Sequence, residues 1–430
     1  MDRPARIEIR NGRVVDPAQG VDRVASLYID AGRIESIAER PGDFHADRVV
    51  DATGCVVCPG LVDLAARLRE PGLEHKATLE SELAAASAGG VTSLACPPDT
   101  DPPLDEPGLV EMLKHRARLT GRAHVYPVGA LTVGLQGAAL TEMGQLAEAG
   151  CVAFSQADVP FHDTQMLHRA LQYAGTFGHR VWLRPQDAYL ARGGVAHDGE
   201  VATRLGLAAI PVMAETIALA RIFALVRDTG VGVHLCRLSS AEGVAMMRTA
   251  KREGLPVTCD VAVHHLHLCD VDIGWFDPLA HLMPPLRSAR DRDALREGVL
   301  DGTIDAICSD HAPVDDDAKQ LPFAEAEPGA TGLELLLPLA LKWAGEATVP
   351  LADTLARITT RPAAILGIAQ PSLAAGEAAD VCVFDPKAAW AVRRESLRSQ
   401  GKNTPFLGLE LVGRVVWTLL AGNVVHEGRD

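Results

Sequence analysis

The side chains of this chain that could do chemistry stand at or near the ends of apolar runs. Asp310 and His311 sit side by side in DAICSDHAP, a carboxylate and an imidazole that could pass a proton between them as an acid/base pair. His264, His265 and His267 crowd into VAVHHLHL and invite a metal reading, but they lack an evident carboxylate partner. Cys55 and Cys58 have CxxC spacing, yet a zinc ribbon needs a second matching pair nearby and none exists, so they read as two thiols entering a barrel strand. Arg67, Arg69, Arg184 and Arg237 lie at or just beyond the ends of other runs. A guanidinium stays protonated and offers no lone pair to a metal, but it holds carboxylates and small anions well.

Groups spread so widely along the sequence need a scaffold that gathers strand ends. From about residue 56, short apolar runs alternate with longer Ala/Leu-rich segments, the signature of repeated βα units round a parallel sheet. The runs VVCPGLVDL, VTSLACP, AHVYPVGAL, CVAFS, RVWLR, VGVHLCRL, LPVTCDVAV and IDAICSD suit strands buried on both faces. HKATLESELAAASAGG, ending in paired glycines, and IPVMAETIALARIFALVRDTG, with an early proline and a closing glycine, suit barrel helices. The pattern predicts an α/β fold with a (β/α)8 TIM-type barrel over residues 56–371, whose functional groups would lie at the carboxyl face of the strands. Residues 1–55 and 372–430 have another texture. Strand-like RIEIRNGRVVD, ASLYIDAGRIESIAE, DVCVFDP and VVWTLLAGNVVHEG predict a small β-sandwich built from both termini.

Bulk composition narrows the class. The 430 residues exceed what one hydrophobic core usually holds, which fits a barrel plus a smaller module. With 41 Lys and Arg against 56 Asp and Glu the net charge is −15, and no basic run marks a phosphate-backbone footprint, so nucleic-acid binding is not expected. No apolar stretch reaches membrane-spanning length, and MDRPARIEIRNGRVVD lacks the apolar core of a secretory signal, so a cytoplasmic location is expected. Nine scattered cysteines then read as reduced thiols without disulfides.

The segment PGLVDLAARLREPG, residues 59–72, closely resembles the first barrel strand of dihydroorotases, usually PGLVDLHVHLREPG. The resemblance runs over nearly the whole chain, through PPDTDP, VAFSQAD, VAVHHLHL, PPLRSARDRDAL, DAICSDHAP, GLELLLPLAL and a GKNTPF segment read as a surface motif. It implies an ancestral chemistry, reversible closure of N-carbamoyl-L-aspartate to dihydroorotate, in which one or two zinc ions acidify water and polarise the carbonyl. Imidazole and carboxylate ligands are indispensable to that chemistry.

Here most of that ligand set is replaced. Ala65 and Arg67 stand where the family has its HxH pair. FSDDG becomes Phe154-Ser155-Gln156-Ala157-Asp158, leaving Asp158 as a poorly aligned substitute for the bridging carboxylate. The later histidines correspond to Arg184 and Arg237, with His234 three places earlier and, by strand alternation, facing the other way from Arg237. Asp310 alone survives. Of the substrate-binding pattern, Arg69 and His311 persist, Asp99 stands for the asparagine of PNT, Met283 for the asparagine before PPLR and Val314 for the second histidine of DHAPH.

The pattern therefore implies a chain without zinc or other cofactor, in which Arg67, Arg184 and Arg237 pair with a vestigial Asp310 and fill the former metal site. Two other readings stand beside it: a rebuilt cyclic amidohydrolase using Asp310 and His311, and a protein whose arginine cluster holds a small anion. The resemblance extends to inactive dihydroorotase-like chains that associate with aspartate transcarbamoylase. It implies that enzyme's catalytic subunit as partner, together with a homo-oligomer, most simply a dimer.

Overall fold

The computed structural model describes residues 5–428. The first four residues of MDRPARIEIRNGRVVD and the last two of the chain lie outside the described residues. Eight parallel strands form the barrel: Leu61–Asp63, Val91–Cys96, His124–Ala130, Ala153–Ser155, Val181–Leu183, Val233–Leu235, Val257–Ala262 and Ala306–Cys308. Each falls in one of the eight runs expected from the sequence. Their side chains alternate across the barrel wall. Val181 and Leu183 pack outward with the helices, while Trp182 points inward among Val62, Ala95, Val128, Ala153, Ala262 and Ala306. A single indole set among alanines thus fills much of the interior.

The last strand meets the first through short-range bonds. The His311 amide donates to the Ala65 carbonyl and the Arg67 amide to the His311 carbonyl, both at 2.9 Å. Just below, the buried Asp63 carboxylate accepts from the Ser309 amide at 2.7 Å and from its hydroxyl at 2.5 Å. This seam brings the positions after the first and eighth strands together at the carboxyl face. Helices close the outside and stop where the sequence says they should. Leu79–Ala88 has Thr78 accepting from the Ser81 amide at its start and Gly89 at its end, and Met213–Thr229 ends at Gly230 with φ 68°.

Strands Ile7–Asp16, Val21–Asp30, Arg33–Ile37, Arg48–Asp51, Val56–Pro59, Val381–Ala391, Glu410–Leu420 and Asn423–Glu427 form one mixed sheet from both termini. The turns at Gly32 and Ala421 meet, and the sheet bends over its own core of Ile7, Leu27, Ile29, Val57, Val383 and Leu419. The run expected as the first barrel strand is thus two strands. Val56–Pro59 pairs with Ile7–Asp16 and Val381–Ala391, and only Leu61–Asp63 enters the barrel. Cys58 accordingly lies in the terminal sheet rather than in a barrel strand, and all nine cysteines are free.

GKNTPF is not on the surface. Asn403 and Thr404 are buried, and the Asn403 amide clasps the loop after the eighth strand, donating to the Ala312 and Gly329 carbonyls and accepting from the Val314 amide, each at 3.0 Å. The loop after the first strand is pinned as tightly. Gly72 has φ 89°, and a Cβ there would lie 1.7 Å from the Asp101 carbonyl oxygen. We expect Gly72→Ala to cost about 1–3 kcal/mol through this overpacking and the left-handed backbone, seen as a lowered denaturation midpoint with an unchanged m-value.

Candidate functional site

At the carboxyl mouth of the barrel, three arginines and three aspartates lock together. Arg67 follows the first strand and spreads its guanidinium over all three acids: Nε donates to Asp99 at 2.7 Å, one terminal nitrogen to Asp158 at 2.7 Å and the other to Asp310 at 3.2 Å. Arg237, after the sixth strand, donates to Asp310 at 2.9 Å and to Asp158. Arg184, after the fifth, forms an ion pair with Asp158, its Nε 2.8 Å from the carboxylate, and donates to the Asp158 carbonyl at 2.8 Å and to the Gln186 side chain. The formal charges cancel. All three guanidiniums are buried, and Asp310 is 7 % exposed, so the network replaces water with fixed counter-charges.

Asp158 is the hub, because it alone touches all three arginines. Sequence reasoning placed Asp310 at that centre, but Arg184 does not reach Asp310 and turns to Asp158 instead. The backbone explains why Asp158 fits despite its displaced alignment. Ala157 has φ 50°, a left-handed turn that a residue with a Cβ rarely adopts. Arg69, Arg237 and Asp310 also have positive φ, at 65°, 57° and 46°. Such strain persists only where the surroundings over-determine it. Burial alone would raise the Asp158 carboxyl, but Arg237, Arg67 and Arg184 overcome it and hold the group far below the usual carboxylate range. At Asp310 burial prevails over Arg237 and Arg67, and the carboxyl is pushed up.

The other expected site residues separate into supports and bystanders. Asp99 joins the network through Arg67. Arg69 stays outside it: Nε donates to the Pro313 carbonyl at 2.9 Å, and no ion pair forms among the described residues. His311 is fully buried and turned away from Asp310. Its Nε2 meets Glu82 at 2.5 Å, and its Nδ1 accepts from the Gly332 amide at 3.0 Å, so the two residues form no acid/base pair here. Sequence reasoning missed Glu82, a buried acid on the first helix that also accepts from the Ser399 hydroxyl at 2.7 Å.

His234 does not face away from the network. It points into the barrel against Trp182, with Nε2 3.1 Å from Asp260, whose other oxygen accepts from the Arg237 amide at 2.6 Å. Strand alternation ends at Leu235, and the positive φ of Arg237 turns its side chain back over the same axis. His265 and His267 bond the carbonyls of Pro285 and Leu339, and burial holds each down to about 4, which makes them neutral core histidines. Met283 packs beside the small cluster of Ala191, Ile210 and Ala214, and Val314 is buried.

A zinc ion does not fit these residues. Ala65 offers a methyl group, and the positions of Arg67, Arg184 and Arg237 offer only N–H donors. The remaining lone pairs are too few: one Asp310 oxygen already accepts from two guanidiniums, and the other lies 3.9 Å from His264 Nε2. Among the described residues no group of three or more His, Cys, Asp or Glu is arranged to hold a metal. Nor is there room for a substrate below the network. The cavity bounded by Ala65, Arg67, Trp182 and Arg237 measures about 30 Å3, room for about two waters.

Comparison with known proteins agrees with the barrel fold. Residues 54–243 match the family described as Dihydro-orotase-like, and residues 196–425 the Amidohydrolase family. A dihydroorotase-like protein of Pseudomonas aeruginosa is 48% identical over 98% of this chain and 100% of its own length. A dihydroorotase of Geotalea daltonii is 41% identical over 98% of this chain and 99% of its own. The L-hydantoinase of Arthrobacter aurescens superposes with a TM-score of 0.87 at 25% identity, over 98% of this chain and 96% of that one.

The network's balance can be tested by charge. Asp158→Asn leaves three buried guanidiniums with too few anions, and we expect a loss of about 3 kcal/mol, the low end of the range for orphaned buried charges because a third of the carboxylate still meets solvent. Adding Arg184→Met to that variant removes the surplus charge and should recover most of the loss in a double-mutant cycle. Because the folded-state value of Asp158 is depressed, its contribution is complete above the unfolded carboxylate value of about 3.9 and fades as pH falls below it. The stability of wild type should therefore fall more steeply below about pH 4 than that of Asp158→Asn.

Proposed function

We propose a non-catalytic role for this chain, which belongs to the amidohydrolase family and, within it, to the dihydroorotase-like proteins. The observation that carries the reading is the charge-balanced network of Arg67, Arg184 and Arg237 with Asp99, Asp158 and Asp310. Hydrolysis of a cyclic amide needs an activated water, an electrophile on the carbonyl and a proton shuttle within reach of both. At this mouth both Asp158 oxygens and one Asp310 oxygen are committed to guanidiniums. His311, the expected shuttle, is bonded to Glu82 on the far side of the seam.

What the network does supply is rigidity. Six charged side chains from six of the eight loops after the strands are fixed by mutual pairing, so the carboxyl face keeps its shape without metal or substrate. A fixed face on an intact barrel suits a structural subunit. In this reading the chain is cytoplasmic and pairs with itself as a dimer. Its partner is the catalytic subunit of aspartate transcarbamoylase, which it helps to assemble or stabilise.

Two assays decide between this role and a rebuilt cyclic amidohydrolase. Purified chain should give no turnover of dihydroorotate or N-carbamoyl-L-aspartate above background, with or without chelator. When co-expressed with the aspartate transcarbamoylase catalytic subunit of its own genome, it should co-elute with it as one complex in gel filtration. Chelator-resistant turnover would establish the rebuilt enzyme. Separate elution of two active or folded proteins would remove the scaffold role.

A further inference from the structure

A second, larger hollow lies away from the barrel mouth. A cavity of about 700 Å3 opens between the terminal strands Val381–Ala391 and Glu410–Leu420 and the helix Leu336–Ala347. Its volume falls in the range of small-molecule sites. It shares no lining residue with the 30 Å3 cavity under the arginine network, so the role proposed for that network does not bear on it.

The wall is cationic and largely uncompensated. Arg393, Arg398 and Arg414 all line the cavity, and among the described residues none of their guanidiniums forms an ion pair. Two acids also line it, but each is engaged elsewhere. Glu427 pairs with Arg48 at 2.9 Å. Glu334 accepts from the backbone amides of Arg398 at 2.8 Å and Ser399 at 3.1 Å, and burial pushes it up to about 7, so it carries only part of a charge near neutrality. His426 also lines the cavity and is held down to about 4, mainly by burial and further by the neighbouring Arg398, Arg414 and Arg122.

One flat apolar surface completes the wall. Trp390 lines the same hollow, and its indole N–H donates to the Gly413 carbonyl at 3.2 Å, which fixes the ring in place. Guanidinium forks match phosphate and carboxylate oxygens, and an indole stacks against a planar ring or a guanidinium. The combination of three free forks, one anchored indole and this volume asks for a ligand with both a multiply charged end and a ring.

We propose that this cavity is a binding site for a nucleotide-class ligand, a ring-bearing molecule with a polyphosphate tail held by Arg393, Arg398 and Arg414 and a ring placed against Trp390. The full chain should bind ATP saturably in isothermal titration, bind tripolyphosphate more weakly and fail to bind adenosine. Arg398→Gln with Arg414→Gln should weaken ATP binding at least about tenfold per lost fork, without lowering the unliganded melting temperature. Trp390→Leu should weaken ATP but not tripolyphosphate.

If the double variant melts early when unliganded, the exposed Arg393→Gln gives the same reading alone. No saturable ATP binding would overturn the proposal, as would ATP binding indifferent to these arginines. Binding lost instead in Arg69→Gln would move the ligand to the barrel mouth and overturn it as well. Tripolyphosphate binding as tight as ATP would refute the role given to Trp390 and, with it, the nucleotide class.

Discussion

Everything at the carboxyl face depends on one constraint: three guanidiniums buried within a few ångströms of one another must each find an anion. Asp158 meets that demand for all three, and Asp99 and Asp310 complete it through Arg67 and Arg237. Like charges this close in a largely buried site repel strongly, so removing one anion upsets every guanidinium it holds. The network is therefore a unit, and its members cannot be assessed one at a time. Its presence also accounts for the left-handed backbone at Ala157, Arg237 and Asp310, conformations that cost energy unless packing and pairing hold them.

The same unit ties the site to the fold. Arg67 and Asp310 flank the seam where the first and last strands meet, and the bonds of Asp63 with Ser309 and of His311 with Ala65 set the distance between them. Behind the seam, Glu82 joins His311 to Ser399, and Asn403 clasps the loop after the eighth strand, so the segment before the last terminal strands helps to hold the mouth. His311 has thus kept its place in the sequence motif while serving as a buried structural link. Arg69 shows the opposite case, a guanidinium in its motif position that remains outside the paired network.

The sequence told most where a local pattern had one structural solution. Apolar runs such as RVWLR, with a helix before and after, could only be buried parallel strands, and all eight were legible. The identities at positions 65, 67, 184 and 237, one methyl group and three guanidiniums, likewise showed before any geometry was known that these side chains offer a metal no lone pair. What stayed hidden depended on backbone turns and on contacts between distant segments. Nothing in FSQAD discloses a positive φ at Ala157, so Asp158 looked misplaced when it is central. The alternation that seemed to separate His234 from Arg237 ends at Leu235, which only the turn itself reveals. Glu82 and GKNTPF were invisible because their partners lie more than two hundred residues and nearly one hundred residues away. Glu82 did carry one signal, an acid on the inward side of a helix otherwise rich in alanine.

The most direct test of the account is zinc binding. Protein expressed in zinc-supplemented medium, purified without chelator and passed through gel filtration, would be measured for metal by elemental analysis. The charge-balanced network predicts zinc far below one ion per chain. Zinc retained near one ion per chain would contradict it, because no ion can occupy the mouth while Arg67, Arg184 and Arg237 hold the same carboxylates.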